Sequence, residues 1–188
     1  MENSRPSTAR AIPKELQSWS SIPVVPRANE GDLSDPARDY RNWEFNIWLL
    51  DEEELLPLTM NIVNDFNFPS TFGFDTSIWC NFVWEVQRLM NKTINPYHTY
   101  RHVMDVAQSC ACIIKEFNAS VWMGEFDSLA LYVSAIVHDL EHPGTNNPYQ
   151  VNALTPLAIR YNDISVLENH HCARAFELFM HPKCNIIQ

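Results

Sequence analysis

Residues 137–147 read VHDLEHPGTNN, and this stretch decides how the rest of the chain is read. An apolar run, Leu129 to Val137, delivers the adjacent pair His138-Asp139, and His142 follows four residues after His138. On a continuing helix that spacing sets both imidazoles on one face. Pro143-Gly144 is then expected to stop the helix, because proline cannot follow on and glycine turns freely. Imidazole nitrogens beside a carboxylate, at the end of a buried helix, suit a hard or borderline divalent cation. Packing alone explains such an ending poorly, because each buried charge needs a partner.

Two further constellations flank this one. Upstream, Asn95 to Val106 reads NPYHTYRHVMDV, with His98 and His102 four apart and Asp105 three beyond His102. Histidines at this spacing are a weak signal alone. Their weight comes from the company of His138 and Asp139. Two histidines and a carboxylate from two helices make an incomplete ligand set, with positions left for water. Downstream, Tyr161 to His171 reads YNDISVLENHH. Ser165 and Glu168 have the spacing of a capping box, which is a sufficient structural role for Glu168. That role leaves Asn169-His170-His171 unexplained, and Glu168 is equally suited to holding a metal-bound water.

The surrounding pattern is helical. Residues 1–38 hold Pro6, Pro13, Pro23, Pro26 and Pro36 among Ser and polar residues and read as a poorly ordered leader, with a short helix around Lys14 to Ser18. From residue 39 the chain reads as a partial globular domain, with N-terminal helices over 39–92 and the metal-site helices over 95–188. Tyr40, Trp43, Ile47 and Leu50 predict one short helix, and a second opens near Glu52 with acidic residues at its positive end. Asn67 to Asp75 reads as a loop. Ile78, Trp79, Phe82, Val83, Val86, Leu89 and Met90 form a stripe capped by Thr76 or Ser77. Tyr100 to Phe117 predicts a helix turning Val103, Val106, Ala107, Cys110, Ile113, Ile114 and Phe117 inward. Asp127 or Ser128 is expected to cap the helix leading to His138. Asn146 to Pro156 reads as a polar loop or short helical turn, and a last helix follows Ser165. No alternating strand pattern or internal repeat is present, so the fold class is all-α.

Composition narrows the function. The 188 residues are 46% hydrophobic and 12% aromatic, enough for a sizeable core. The net charge of −10 disfavours nucleic acid and acidic membranes as partners. An anionic phosphate substrate would therefore need metal ions to supply the positive field. Five cysteines, without any Cys-x-x-Cys spacing, fit free thiols in a reducing cytoplasm better than a disulfide frame or thiolate zinc site. Neither a secretory signal nor a membrane segment is expected.

Taken in order, the three stretches resemble the first half of the catalytic domain of the class I cyclic-nucleotide phosphodiesterases, a branch of the HD superfamily. The matching motifs are Y-H-x-x-x-H-x-x-D-V at Tyr97 to Val106, H-D-x-x-H-P-G-x-x-N at His138 to Asn147, and Y-N-D-x-S-V-L-E-N-H-H at Tyr161 to His171. The resemblance is close from Asn95 onward and only architectural over Tyr40 to Met90. It implies an all-α, multi-helical fold cut short on its C-terminal side. By resemblance, His102, His138 and Asp139 hold the tightly bound metal, usually zinc. Asp139 also bridges to a second ion, usually magnesium or manganese. His142 and Glu168 resemble the shell that orders water around that ion. His98 resembles the general acid, Tyr97 a pocket wall and Asn147 a polar pocket residue. The implied partner is a cyclic nucleotide, with a homodimer as a possible assembly.

The chemistry is coherent. A cyclic phosphodiester is anionic and resists neutral water. Two divalent ions neutralise its oxygens and activate a water. The ribose 3′-oxygen leaves as an alkoxide unless an imidazolium such as His98 protonates it. Thr99, Val103 and Glu141 depart from the family's usual Asn, Ala and Asp, and none of these is a ligand. A second ligand aspartate, the purine-binding glutamine and the stacking aromatic of the family have no counterpart in these residues. The 188-residue product is therefore expected to turn over weakly and to leave the apolar faces of Tyr132–Leu140 and Val166–Phe179 partly uncovered. Two other readings compete: an HD-type hydrolase of another nucleotide class, and a catalytically silent metal-binding regulator.

Overall fold

The computed structural model describes residues 35–187, apart from 93 and 118. The expected leader lies outside the described residues except for 35–38, and so does the expected helix at 14–18. Eight α-helices follow: α1 (Glu52–Asp65), α2 (Phe68–Phe72), α3 (Thr76–Met90), α4 (Tyr100–Glu116), α5 (Glu125–Val137), α6 (Asn147–Asn152), α7 (Pro156–Arg160) and α8 (Val166–Phe179). No strand occurs among the described residues, as the all-α reading expects.

Local chemistry explains most boundaries. Asp51 N–H donates to Glu54 Oε2 at 2.7 Å where α1 begins, so the acidic step closes its own helix start. Asp75, rather than Thr76 or Ser77, caps α3, its carboxylate accepting from Ser77 N–H at 2.6 Å. The interval Asn67–Asp75 contains α2 instead of a plain loop, because Pro69 sits in the first turn, where a missing N–H costs nothing. The connection before α5 is also shorter than expected. Gly124, not Asp127 or Ser128, is the N-cap, and Glu125 and Asp127 lie in the first turn. Of the two forms read for 146–156, the short helical turn occurs, as α6, and α7 follows from Pro156; the Asn146 and Thr155 side chains start them.

The core forms where α1, α3, α4, α5 and α8 meet. Trp79, Phe82, Tyr100 and Tyr132 are fully buried, and Trp79 stacks on Tyr132 with centroids 5.9 Å apart. α4 packs along α5 more extensively than any other pair of elements. Of the stripe expected to turn inward from α4, Val103, Ala107 and Ile114 are buried, while Ile113 and Phe117 are exposed.

Residues 40–50 do not form the expected helix. They strap across α4 as turns, with one 3-10 turn at Ile47–Leu49. Gln108 Nε2 donates to the carbonyls of Tyr40 and Asn42, and Arg101 donates to those of Ile47 and Leu50. The Asn42 and Asn46 side chains accept from Glu44 and Trp48 N–H, which satisfies the backbone without a helix. Trp43 and Trp48 consequently face solvent.

Between α5 and α8 runs an apolar groove of about 480 Å³, with Leu129, Val133, Cys172, Phe176 and Ile186 among its lining residues. His138, Glu168 and His171 also line it, so the groove borders the histidine-rich region. Uncovered apolar surface was expected here, although Tyr132 itself is fully enclosed.

Candidate metal centre

The site is assembled from the N-terminus of α4, the turn after α5 and the first half of α8. α4 begins because Thr99 caps it, its hydroxyl facing His102 N–H at 3.5 Å. This places His102 in the first helical turn. α5 ends at Val137 with His138 as its C-cap, and His138 Nδ1 pairs with the Ala135 carbonyl at 2.8 Å. With Nδ1 serving as the donor, Nε2 is left as a lone-pair ligand atom facing inward.

The expected helical continuation through His142 is corrected here. The helix is over before Asp139, and Glu141 adopts a left-handed conformation at φ 59°. His138 and His142 therefore do not share a helix face, and Pro143-Gly144 follows an ending already made. The turn still brings both rings to Asp139. Gly144, at φ 82°, lets its N–H reach back to His142 Nδ1 at 3.0 Å.

Asp139 is the centre of this arrangement. Its Oδ2 lies 3.1 Å from His138 Nε2, 3.3 Å from His102 Nε2 and 3.9 Å from His98 Nε2. Its Oδ1 lies 3.9 Å from His171 Nε2. Burial works to raise the Asp139 pKa, but the His138 hydrogen bond and the surrounding imidazoles outweigh it and bring it down to about 2. His102 is shifted downward by burial and then by the nearby His138. His142 falls to about 4, from burial first and the charge of His98 second, so it is neutral near pH 7. His138 is shifted upward, chiefly by its hydrogen bond to Asp139. Imidazole nitrogens around an ionised carboxylate form the kind of donor set that a divalent cation takes. Two overlapping groups have ligand atoms within 4.8 Å of one another: His102, His138 and Asp139; and His98, Asp139 and His142.

All eight residues singled out as site residues from the sequence are drawn into direct contact with another of the set. The His98 ring stacks on His142 with centroids 3.7 Å apart. Tyr97 sets its ring against His98 and His102 while staying exposed. Asn147 and Glu168 pair with each other, the Asn147 amide donating to both Glu168 oxygens at 2.9 and 3.1 Å. Asn147 Oδ1 also accepts from Leu167 N–H at 2.9 Å, so Asn147 fastens α6 to the start of α8. The capping box expected at Ser165 is absent. Ser165 is left-handed at φ 42° and makes no side-chain cap bond, and Glu168 is bound by Asn147 instead. Asp105 is exposed.

Two residues of the site escaped the sequence reading. His171 is buried, its Nδ1 paired with the Leu140 carbonyl at 2.7 Å and its ring stacked 5.6 Å from His142. Its place in the ENHH run was the available signal. Asn95, which has no site role in the sequence reading, is buried beside His98 and donates to the His142 carbonyl at 3.4 Å.

Comparison with known proteins agrees with this geometry. Residues 97–188 match the 3′5′-cyclic nucleotide phosphodiesterase family. Over 169 residues the chain is 37% identical to the 3′,5′-cyclic-nucleotide phosphodiesterase regA of Dictyostelium discoideum, covering 90% of this chain and 21% of that protein. It is 38% identical over 149 residues to the human high affinity cGMP-specific 3′,5′-cyclic phosphodiesterase 9A, covering 76% of this chain and 24% of the relative. The crystal structure of the phosphodiesterase domain of Salpingoeca rosetta rhodopsin phosphodiesterase superposes with a TM-score of 0.75 at 28% identity, over 87% of this chain and 49% of that one. The chain thus spans about a fifth to a quarter of these two curated relatives and about half of the solved domain. The converging imidazoles, the matched segment and the shared helical architecture together make residues 97–188 part of a domain of the 3′5′-cyclic nucleotide phosphodiesterase family.

Proposed function

We propose that this chain contributes the metal-binding half of a site that hydrolyses 3′,5′-cyclic nucleotides to 5′-nucleotides. Residues 39–188 form a partial catalytic domain on this reading. The single observation that carries it is the convergence of His102, His138 and His98 on one oxygen of Asp139.

The donor set fits a zinc ion at His102, His138 and Asp139, with magnesium or manganese on the His142 side of the same carboxylate. His138 and His171 both commit Nδ1 to backbone carbonyls, which points Nε2 of each toward Asp139. Bound there, the two cations would neutralise phosphate charge and bring the pKa of a coordinated water toward neutrality. His98 Nε2, 3.9 Å from Asp139 Oδ2, stands where it could protonate the departing ribose 3′-oxygen. Neutral His142 supplies a flat support for that ring. Tyr97 forms the outer wall. Glu168, tied to Asn147, orders water near His171, and Asn147 lines the pocket on the α6 side.

Alone, residues 1–188 turn over weakly, because three ligands from this segment leave the tight site short of a fourth. Zinc and manganese titration by calorimetry, paired with hydrolysis assays on cyclic AMP and cyclic GMP, tests both statements. Metal uptake by the chain that is lost in His138→Ala, with weak turnover lost alongside it, is the expected result. Absence of metal uptake overturns the site. Turnover at the level of complete family members overturns the weak-activity clause. Metal uptake with no turnover of either nucleotide supports the silent regulator instead.

A further inference from the structure

We infer that Asn95 is a positioning residue, whose buried amide sets the His98 ring over His142. The inference deepens the reading of His98 as the acid and rests on it for its catalytic consequence.

All the polar capacity used by this side chain goes to the two segments that meet at His98. Asn95 Oδ1 accepts from His98 N–H at 3.1 Å and from Tyr97 N–H at 3.2 Å. This closes a tight turn that lifts His98 off the start of α4. Asn95 Nδ2 donates across 47 residues of sequence to the His142 carbonyl at 3.4 Å. One planar amide thus fixes the backbone of His98 and the backbone of His142 together. Their rings lie almost parallel, 9° apart, with centroids at 3.7 Å. Asn95 is 9% exposed, so water competes poorly for these bonds. His102 and His138 are placed by other means, the Thr99 cap and the Ala135 carbonyl. Loss of Asn95 should therefore disturb the acid and spare the ligand pair.

A shift of an acid by about an ångström costs on the order of 100-fold, and general acid catalysis as a whole contributes about 10²–10⁴-fold. Asn95→Ala is thus expected to lower kcat for a cyclic nucleotide by about 10- to 100-fold, with KM changing less than about threefold. A p-nitrophenyl phosphodiester has a leaving group that needs no proton, so its hydrolysis should fall less than about threefold.

The test measures two things on the full chain. The first is the ring-to-ring nuclear Overhauser contact between His98 and His142, compared with that between His102 and His138. Asn95→Ala should lose the first and keep the second, and Asn95→Asp, which retains the acceptor oxygen for the His98 turn but loses the donor to the His142 carbonyl, should weaken the first and keep the second. The second is manganese-supported hydrolysis of the cyclic nucleotide and the p-nitrophenyl ester, with His98→Ala alongside. Asn95→Ala should add nothing to His98→Ala. Persistence of the His98–His142 contact in Asn95→Ala overturns the inference, and so does loss of both contacts together. Equal loss on the two esters overturns the catalytic consequence. A chain silent on both esters with the contacts behaving as expected would leave the positioning intact and remove the hydrolase reading.

Discussion

Asp139 and Glu141 lie two residues apart on one turn and meet opposite fates. Glu141 is closed by permanent cations: Arg174 Nε lies 2.7 Å from its Oε2, and Lys92 Nζ donates to its Oε1 at 2.9 Å. His170 adds a third partner at 3.4 Å. Among the described residues the Asp139 carboxylate is paired only with imidazoles, which carry no permanent charge. Both carboxyls are held near pKa 2. Arginine and lysine complete the charge of Glu141, so it acts as a strut for the turn. Imidazoles bring no permanent charge to close Asp139, which makes it the better candidate for a cation. The difference separates a carboxylate closed by fixed charge from a candidate ligand without reference to any family.

The sharpest way to break this comparison is to exchange the roles. Asp139→Asn should abolish zinc uptake, weakening affinity by more than the 10- to 100-fold typical of outer partners, so on the order of 10³-fold by calorimetry. Glu141→Gln should leave zinc affinity within about tenfold of the parent. If Glu141→Gln matches the loss of Asp139→Asn, the distinction fails.

Stability should respond in the opposite sense. Glu141→Ala leaves Arg174, whose side chain is 9% exposed, with Glu177 as its remaining carboxylate, and should cost about 1.5–3 kcal/mol in urea unfolding. Replacing Arg174 by Met in the same chain should recover part of that cost.

Acid unfolding offers a finer test. Burial works to raise the Glu141 pKa, but hydrogen bonds from His170 and Lys92 and the charge of Arg174 lower it from 4.5 to about 2. The folded chain thus keeps Glu141 ionised while the unfolded chain takes up a proton near 4.5. Its stabilisation is complete above about pH 5 and is lost as pH falls toward 2. Glu141→Gln should flatten stability over that window. The smallest effect belongs to Lys92→Ala. The Lys92 side chain is 51% exposed, so its removal should cost at most about 1 kcal/mol and less in high salt.

Much of the site was legible because ligand chemistry is written locally. His98, His102, His138, Asp139 and His142 stood out by type and spacing, and the structure gathers them. His142 reaches the site by a different route from the helical register its spacing implies: the left-handed Glu141 makes the turn, and no propensity marks a glutamate for φ 59°. The helix read over residues 40–50 failed for a related reason: its apolar spacing was real, but side chains of α4 take its carbonyls. Ser165 and Glu168 had the spacing of a cap, yet Asn147, 21 residues earlier, binds Glu168.

The sequence by itself determined an all-helical chain and the residue types of a cation site, because periodicity, breakers and donor chemistry all act within a few residues. Only the tertiary structure decided which carboxylate would be closed by Lys92 and Arg174 and which would stay open to a metal. It alone brought Asn95 to the His142 carbonyl and turned His171 toward Asp139. Those pairings join residues 31 to 49 apart, and they form only when packed helices bring distant backbone and side-chain groups within hydrogen-bonding reach.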